Sequence, residues 1–140
     1  MAVVGPYVIE QVEDEQDDLR VLCNVHHSLV SGGVFVIEMT GKEKVARAWQ
    51  NVMCSKLADG LMVFQRAEVR ADWTRIRNEW VVVKDGRAKS FPFEHTIYSG
   101  RELRDLLLAS GFSKVALYGD LDGRPFGLDA DRLVAVAHKA

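Results

Sequence analysis

The side chain best suited to proton transfer is His95, which lies in an alternating stretch with Phe91, Phe93 and Ile97. An imidazole titrates near neutral pH and can take a proton from a reacting group. Tyr98 follows three residues later and could contact a bound substrate. The competing interpretation is a histidine at the edge of the core whose ring is hydrogen-bonded to the backbone. The sequence leaves both interpretations of His95 open.

Three arginines and a tryptophan nearby have the chemistry to bind a polar or carboxylated substrate: Arg66, Arg75, Arg77 and Trp80. Guanidinium groups bind carboxylates through a planar fork of N–H donors, and a tryptophan ring can stack on an aromatic ligand. The alternatives are cross-strand ion pairs, which contribute only about 0 to 1 kcal/mol each, and ordinary packing of the tryptophan. Together with Tyr98, these four are the candidate substrate-binding residues.

Other kinds of site are not indicated. His26 and His27 are adjacent on a predicted helix, so their side chains point about 100° apart and cannot both face one metal ion. Cys23 and Cys54 lack CxxC spacing, and we expect both to be buried free thiols. Six of the residues in the range 10–18 are acidic, and we interpret this run as a solvated loop and helix start.

The composition also excludes some partners. The net charge of -2 provides no basic field for nucleic acid. No apolar stretch is long enough to span a bilayer, and the first residues do not have the pattern of a signal peptide. We therefore expect a cytoplasmic protein that binds neither nucleic acid nor a membrane.

Hydrophobic periodicity predicts alternating elements in the first part of the chain. Residues 3–12 are rich in β-branched residues, which predicts a strand interrupted at Gly5. From Asp17 onward, apolar residues recur every three or four positions, which predicts a helix that ends at Gly32. Residues 34–39 form a continuous apolar run. Such a run is typical of a strand buried on both faces between layers of helix.

The middle of the chain predicts a helix followed by a small antiparallel sheet. Residues 42–56 carry apolar side chains at helical spacing. The period then changes to two, since residues 75–82 and 91–97 alternate between faces, and Asp85-Gly86 lies in the turn between them. Residues 61–70 supply a third strand.

The last part of the chain begins with a helix start signal. Ser99 and Glu102 have the spacing of a capping box, in which each side chain accepts a hydrogen bond from the other residue's backbone amide. The remaining predicted elements are a helix that ends at Gly111, a strand over 113–118, a loop over 120–131 and a final strand over 133–138.

Two long segments match a known order of elements. The first is DDLRVLCNVHHSLVSGGVFVIEM, residues 17–39, and the second is YSGRELRDLLLASGFSKVALYGDLDGRPFGLDADRLVAVAHK, residues 98–139. They resemble the fourth helix and fifth strand, and the last helix and terminal antiparallel hairpin, of class I S-adenosylmethionine-dependent methyltransferases. Ser31 stands where the family commonly has proline.

The resemblance implies a single α/β domain over residues 1–140 that corresponds to the C-terminal half of such an enzyme. This domain would contain a partial Rossmann-like methyltransferase sheet, equivalent to strands four to seven, with an inserted antiparallel three-stranded sheet at about residues 61–98. In relatives the inserted sheet often covers the substrate side of the pocket, which favours a site near His95.

The resemblance also implies methyl transfer to a small molecule, with S-adenosylmethionine as cofactor. Relatives hold this cofactor with a glycine-rich turn after the first strand and an acidic residue at the end of the second. This sequence has no G-x-G-x-x-G motif. We therefore expect that the chain alone binds no cofactor, and that it is a truncated form, inactive or dependent on a partner. The alternative is a non-catalytic module that binds a small ligand or regulates through dimerisation.

A half-sheet would leave an open edge at the strand predicted for residues 3–12. Open edges bind other strands and promote aggregation unless something covers them. We therefore expect a homodimer or a partner chain at this edge.

Overall fold

Two four-stranded β-sheets and three α-helices are present in the residues that the structure, a computed structural model, describes, namely 2–4 and 15–140. The elements are β1 (Ala2–Val4), α1 (Glu15–Ser28), β2 (Val34–Met39), α2 (Lys42–Arg47), β3 (Val52–Lys56), β4 (Met62–Val69), β5 (Arg75–Lys84), β6 (Arg87–Thr96), α3 (Gly100–Ala109), β7 (Lys114–Tyr118) and β8 (Leu133–His138). A short 3-10 turn, Ala58–Gly60, precedes β4. No helix among these elements has the length and apolar character needed to cross a bilayer.

The first sheet has the strand order β1-β2-β8-β7. β1 is parallel to β2, and β8 lies antiparallel between β2 and β7. This is the order that the resemblance implies, with the last strand inserted antiparallel beside the equivalent of strand five. The predicted partial Rossmann-like sheet is therefore confirmed. The rest of the strand predicted over residues 3–12 lies outside the described residues.

The main core lies on one face of the first sheet, under α1 and α3. Phe35, Ile37 and Met39 of β2 point into it and are almost completely buried. The helices contribute Leu22 from α1 and a stripe from α3 that includes Leu103. The residues of β2 that alternate with the buried ones are only half-buried. The sequence predicts that both faces of this strand are buried, and the structure buries only one of them completely.

Helix α3 begins with the predicted capping box. Ser99 Oγ accepts a hydrogen bond from the Glu102 amide at 3.3 Å, and Glu102 Oε2 accepts one from the Ser99 amide at 2.8 Å. These bonds satisfy amides that have no partner within the first turn of a helix. The helix therefore starts where the sequence predicts.

The second sheet is antiparallel throughout, with the order β3-β4-β5-β6. The predicted hairpin is β5 and β6, and its turn contains Asp85 and Gly86 with φ of 50° and 71°. Positive φ at both central residues gives the turn a twist that matches the strands. The strand predicted at 61–70 is β4, and β3 adds a fourth strand to the predicted three.

The predicted helix over residues 42–56 is wrong beyond Arg47. The backbone leaves the helical region at Ala48, with φ -131° and ψ 41°, and β3 then pairs with β4. A short apolar stretch fits both the periodicity of a helix and that of a strand, and here hydrogen bonds to β4 make it a strand. The predicted burial of both thiols is also wrong, since Cys54 is exposed on β3 and Cys23 is half-buried.

The interpretation of the acidic run as solvated is wrong for Asp18. This side chain in the first turn of α1 is completely buried, and it accepts a hydrogen bond from the Tyr98 hydroxyl. A buried carboxylate needs such a donor, because water no longer solvates it. Residues 10–14 of the run lie outside the described residues.

Candidate functional site

A cavity of about 330 Å³ lies between the second sheet and helix α2. Apolar rings from both sides face it, namely Trp49 after α2 and Trp80 and Phe93 of the sheet. Side chains with hydrogen-bonding groups lie among these rings, including Gln65 and Asn78. A cavity with mostly apolar walls and a few convergent polar groups is the usual form of a small-molecule site.

The alternation of the strands places these side chains on one wall. Gln65 of β4 is directly opposite Trp80 of β5, and Asn78 is opposite Phe93 of β6. Because side chains two residues apart share a face of a strand, His95 joins the same wall. The alternation predicted for residues 75–82 is confirmed, since Asn78 and Trp80 both line this wall.

The cavity lies beyond the carboxyl end of β2. Thr40, the residue after β2, and Arg132, the residue before β8, both line it. Arg132 is ion-paired with Glu38, and its NH1 atom donates to Thr40 Oγ1 at 3.4 Å. Ligands of open α/β sheets bind outside the carboxyl ends of parallel strands. The cavity therefore occupies the place where this kind of sheet binds its ligands.

His95 is held by a neighbour on β5. Asn78 Nδ2 lies 3.1 Å from His95 Nδ1 and donates to it in this arrangement, which leaves the ring proton on Nε2. The Phe93 ring is stacked near the imidazole, with centroids 6.1 Å apart. Burial lowers the pKa of His95, and the positive charge of Arg75 lowers it further. The imidazole is therefore neutral at neutral pH.

The lowered pKa predicts a pH dependence of stability. The folded chain holds His95 neutral, whereas the unfolded chain protonates it below the ordinary histidine pKa of 6.5. The stabilising contribution is thus complete above that pH and is lost as the pH falls below it. We expect urea denaturation to give a lower free energy of unfolding at about pH 5 than at about pH 7.

The change His95→Gln should reduce this dependence. Some will remain, because the pKa of His26 is also lowered, mainly by desolvation. His27→Gln, at an exposed position on α1, is the matched control and should reduce the dependence less than His95→Gln does, because it removes only the smallest of the causes that lower the pKa of His26. Equal pH dependence in the unmodified chain and in His95→Gln would contradict the prediction.

Helix α2 is fixed to the loop before β8. Lys44 Nζ lies 2.6 Å from Asp131 Oδ1, and Arg47 NH2 lies 3.3 Å from the same oxygen. Arg47 also donates to the backbone oxygens of Leu128 and Ala130. The hydrogen bond from Lys44 lowers the pKa of Asp131. A helix of six residues is held here by tertiary contacts, because so short a helix is unstable alone.

The structure separates the six residues that the sequence singles out. His95 and Trp80 line the cavity under α2. Arg66 and Arg77 line a second cavity, of about 340 Å³, on the opposite face of the sheet. Arg75 is paired with Glu94 at 3.0 Å.

Tyr98, the sixth residue, is buried against Asp18 in the main core. Two of the six candidates, His95 and Trp80, therefore share the cavity under α2. The cavity residues that sequence reasoning missed include Trp49, Gln65 and Arg132. Gln65 can be recognised as a neighbour of Trp80 only once the register of β4 and β5 is known. No local signal in the sequence places Arg132 at the cavity.

Glycines in the two strand-to-helix turns that the structure describes do not fit the implied cofactor. A Cβ atom at Gly41, between β2 and α2, would lie 2.9 Å from Glu43 Oε2 and 3.2 Å from Leu133 Cβ. A Cβ at Gly100, after β6, would lie 2.6 Å from Phe126 Cε1. The chain's own side chains occupy the space that the ribose or the methionine part of S-adenosylmethionine would need beside each glycine.

No protein-family model matches the sequence, and no curated protein matches it. Solved structures of methyltransferases do match the fold. The CcbJ methyltransferase from Streptomyces caelestis has a TM-score of 0.83 at 16% identity, over 99% of this chain and 56% of its own. An S-adenosylmethionine-dependent methyltransferase from Clostridium acetobutylicum has a TM-score of 0.77 at 12% identity, over 99% and 57%.

A sugar N-methyltransferase from Streptoalloteichus, KedS8, has a TM-score of 0.71 at 16% identity, over 98% of this chain and 55% of its own. Identities this low establish the fold alone. The chain spans little more than half the length of each of these three enzymes. The resemblance is thereby confirmed, and the chain has the fold of about half of an S-adenosylmethionine-dependent methyltransferase.

Proposed function

We propose that this chain forms the acceptor-binding part of an S-adenosylmethionine-dependent methyltransferase. The observation that carries the proposal is the cavity beyond the carboxyl end of β2, under the inserted sheet. The fold match to methyltransferases supports the reaction class. The substrate we propose is a small molecule with an amino group, such as an amino sugar, because KedS8 acts as a sugar N-methyltransferase.

The cavity suits such a substrate chemically. A sugar has apolar C–H faces and a rim of hydroxyl groups. Trp49 and Trp80 offer flat apolar surfaces for the ring, and Gln50 and Gln65 offer amide donors and acceptors for the hydroxyls. The walls therefore complement both parts of a sugar.

His95 has two possible roles, which differ in the state of its Nδ1 atom. While Nδ1 accepts from Asn78, the Nε2 proton can be donated to a substrate hydroxyl, which positions the substrate. Removal of a proton from a methylated amine, the base role expected from the sequence, requires Asn78 to release Nδ1. Arg66 and Arg77 lie across the sheet and would not contact a substrate in the cavity.

According to this proposal, the cofactor is bound by residues other than those that the structure describes. The outer side of β1 is paired with no strand within 2–4 and 15–140. We propose that a cofactor-binding segment, or a partner chain, adds to the sheet at this edge. A strand placed there would continue the parallel sheet next to β1.

Two titrations test the proposal. Trp49 and Trp80 line the cavity, so binding of glucosamine should change the tryptophan fluorescence, and N-acetylglucosamine, whose amine is blocked, is the matched ligand control. Calorimetric titration with S-adenosylhomocysteine, with the mass checked by light scattering, reports cofactor binding by this chain.

Binding of glucosamine without binding of S-adenosylhomocysteine supports an acceptor-binding part that needs another segment. Binding of both would place the whole site within this chain or across copies of it. Binding of neither ligand by a folded chain would overturn the proposal. It would favour the non-catalytic module, for which the closed space beside Gly41 and Gly100 is the supporting observation.

A further inference from the structure

The outer edge of β3 is open, since no strand in the described part of the chain pairs with it. All five residues of this strand are exposed. They include Val52, which is 60% exposed, and Met53, which is 44% exposed, and the neighbouring Leu57 is 52% exposed. An edge strand with free N–H and C=O groups and exposed apolar side chains is a template for pairing with another strand.

The hydrogen bonds to β4 establish which backbone groups of β3 point outward. The Leu57 amide donates to Leu61 at 2.7 Å, and the Ala67 amide donates to Asn51 at 2.9 Å. In an antiparallel pair, hydrogen-bonded and non-hydrogen-bonded residue pairs alternate. The odd-numbered residues from 51 to 57 are therefore bonded to β4. The N–H and C=O groups of Val52, Cys54 and Lys56 point to the open side.

The opposite edge of the same sheet is protected. The Ile97 amide donates to Thr74 at 2.9 Å, which places the even-numbered residues of β6 with their backbone groups outward. Pro92 is one of these, so this edge lacks one donor. Arg87 and Lys89 add positive charge to the strand. Edge strands of natural proteins use proline and charged residues to prevent pairing with other strands. β3 contains no proline, and its one charged residue is Lys56.

We propose that β3 pairs antiparallel with β3 of a second copy of this chain, about a two-fold axis at Cys54. Cys54 then lies opposite Cys54 of the partner subunit, and Val52 lies opposite Lys56 of the partner subunit. All three outward residues form hydrogen-bonded pairs, with about six hydrogen bonds in total. The two four-stranded sheets become one sheet of eight strands across an isologous interface.

The self-complementarity of β3 is what points to a second copy. A register centred on Met53 or Ser55 would leave one of the three outward residues unpaired, so the register centred on Cys54 has the most hydrogen bonds. It also places no two lysines opposite each other, because Lys56 is opposite a valine. This interface is separate from methyl transfer and does not depend on it.

Light scattering of the full chain tests the interface. The unmodified chain should have twice the 15.7 kDa mass of one copy. Cys54→Lys places two positive charges directly opposite each other, so we expect a monomer. Ala88→Lys adds the same charge at an outward position of β6, which is also exposed, and should remain dimeric. A monomeric unmodified chain, or a dimer that survives Cys54→Lys, would overturn the proposal.

Hydrogen exchange shows whether the dimer uses the proposed register, even if a variant folds poorly. In the dimer the amides of Val52, Cys54 and Lys56 should exchange slowly, and dilution to monomer should make them exchange fast. The amides of Met53 and Ser55 are bonded to β4 and should stay protected in both states. Fast exchange at Val52, Cys54 and Lys56 in a dimer would show that another surface forms it.

Discussion

Replacement of Phe35 with alanine is expected to lower the free energy of unfolding by about 3–5 kcal/mol. The ring is 1% exposed and stacks on Phe112, with centroids 5.7 Å apart and an interplanar angle of 17°. It lies between β2 and the helices, among the other buried side chains of the main core. Loss of the ring therefore removes apolar burial and leaves a cavity.

Urea denaturation followed by circular dichroism measures this effect. The matched control is Phe91→Ala on the second sheet, where the ring is 43% exposed. This control should cost less than about 1 kcal/mol, because water already contacts the side chain. A loss in Phe35→Ala as small as the one expected for the control would mean that the stability of the chain does not depend on the core beneath β2.

Replacement of Trp80 with alanine is expected to weaken binding of the amino sugar by about tenfold, the equivalent of about 1.4 kcal/mol. The expected result rests on the proposed function. The indole lies in the wall of the cavity, edge-to-face against Phe93 at 5.5 Å. Its loss would remove the flat surface on which a sugar ring can pack and would open the cavity to water.

Trp73→Ala is the matched control, because Trp73 is 42% exposed and Trp80 is 37% exposed, yet Trp73 does not line the cavity. Binding is followed by calorimetry, since both variants change the fluorescence. Circular dichroism checks that each variant is folded. An unchanged affinity in Trp80→Ala, or an equal loss in both variants, would place the sugar elsewhere.

Local signals in the sequence determined most of the elements. The capping box sets the start of α3, because both of its hydrogen bonds join Ser99 to Glu102, three residues later. Asp85-Gly86 fixes the hairpin of β5 and β6, because few residues tolerate positive φ. The run over residues 34–39 forms β2. Each of these signals acts over a few residues, so no knowledge of the fold is needed to interpret it.

The candidate site was predictable only in part. Alternation placed Trp80 on one face of β5 and His95 on one face of β6, and the register of the two strands brings both faces to the cavity. Alternation along β5 alone puts Arg77 on the face opposite Trp80, whereas Arg66 is placed on that face only once the register of β4 and β5 is known. The register depends on pairing between strands, which a single strand's sequence does not show.

The sequence by itself determined the order of the elements other than β3, the ends of α3 and the hairpin, and a resemblance that the fold confirms. Tertiary structure alone decided that residues 52–56 form the edge strand β3, that Asp18 is buried beside Tyr98, and that Arg132 faces the cavity. The physical reason is the range of the interactions. Caps and turns satisfy backbone groups locally, whereas strand pairing and burial depend on partners distant in the chain, such as Tyr98 for Asp18.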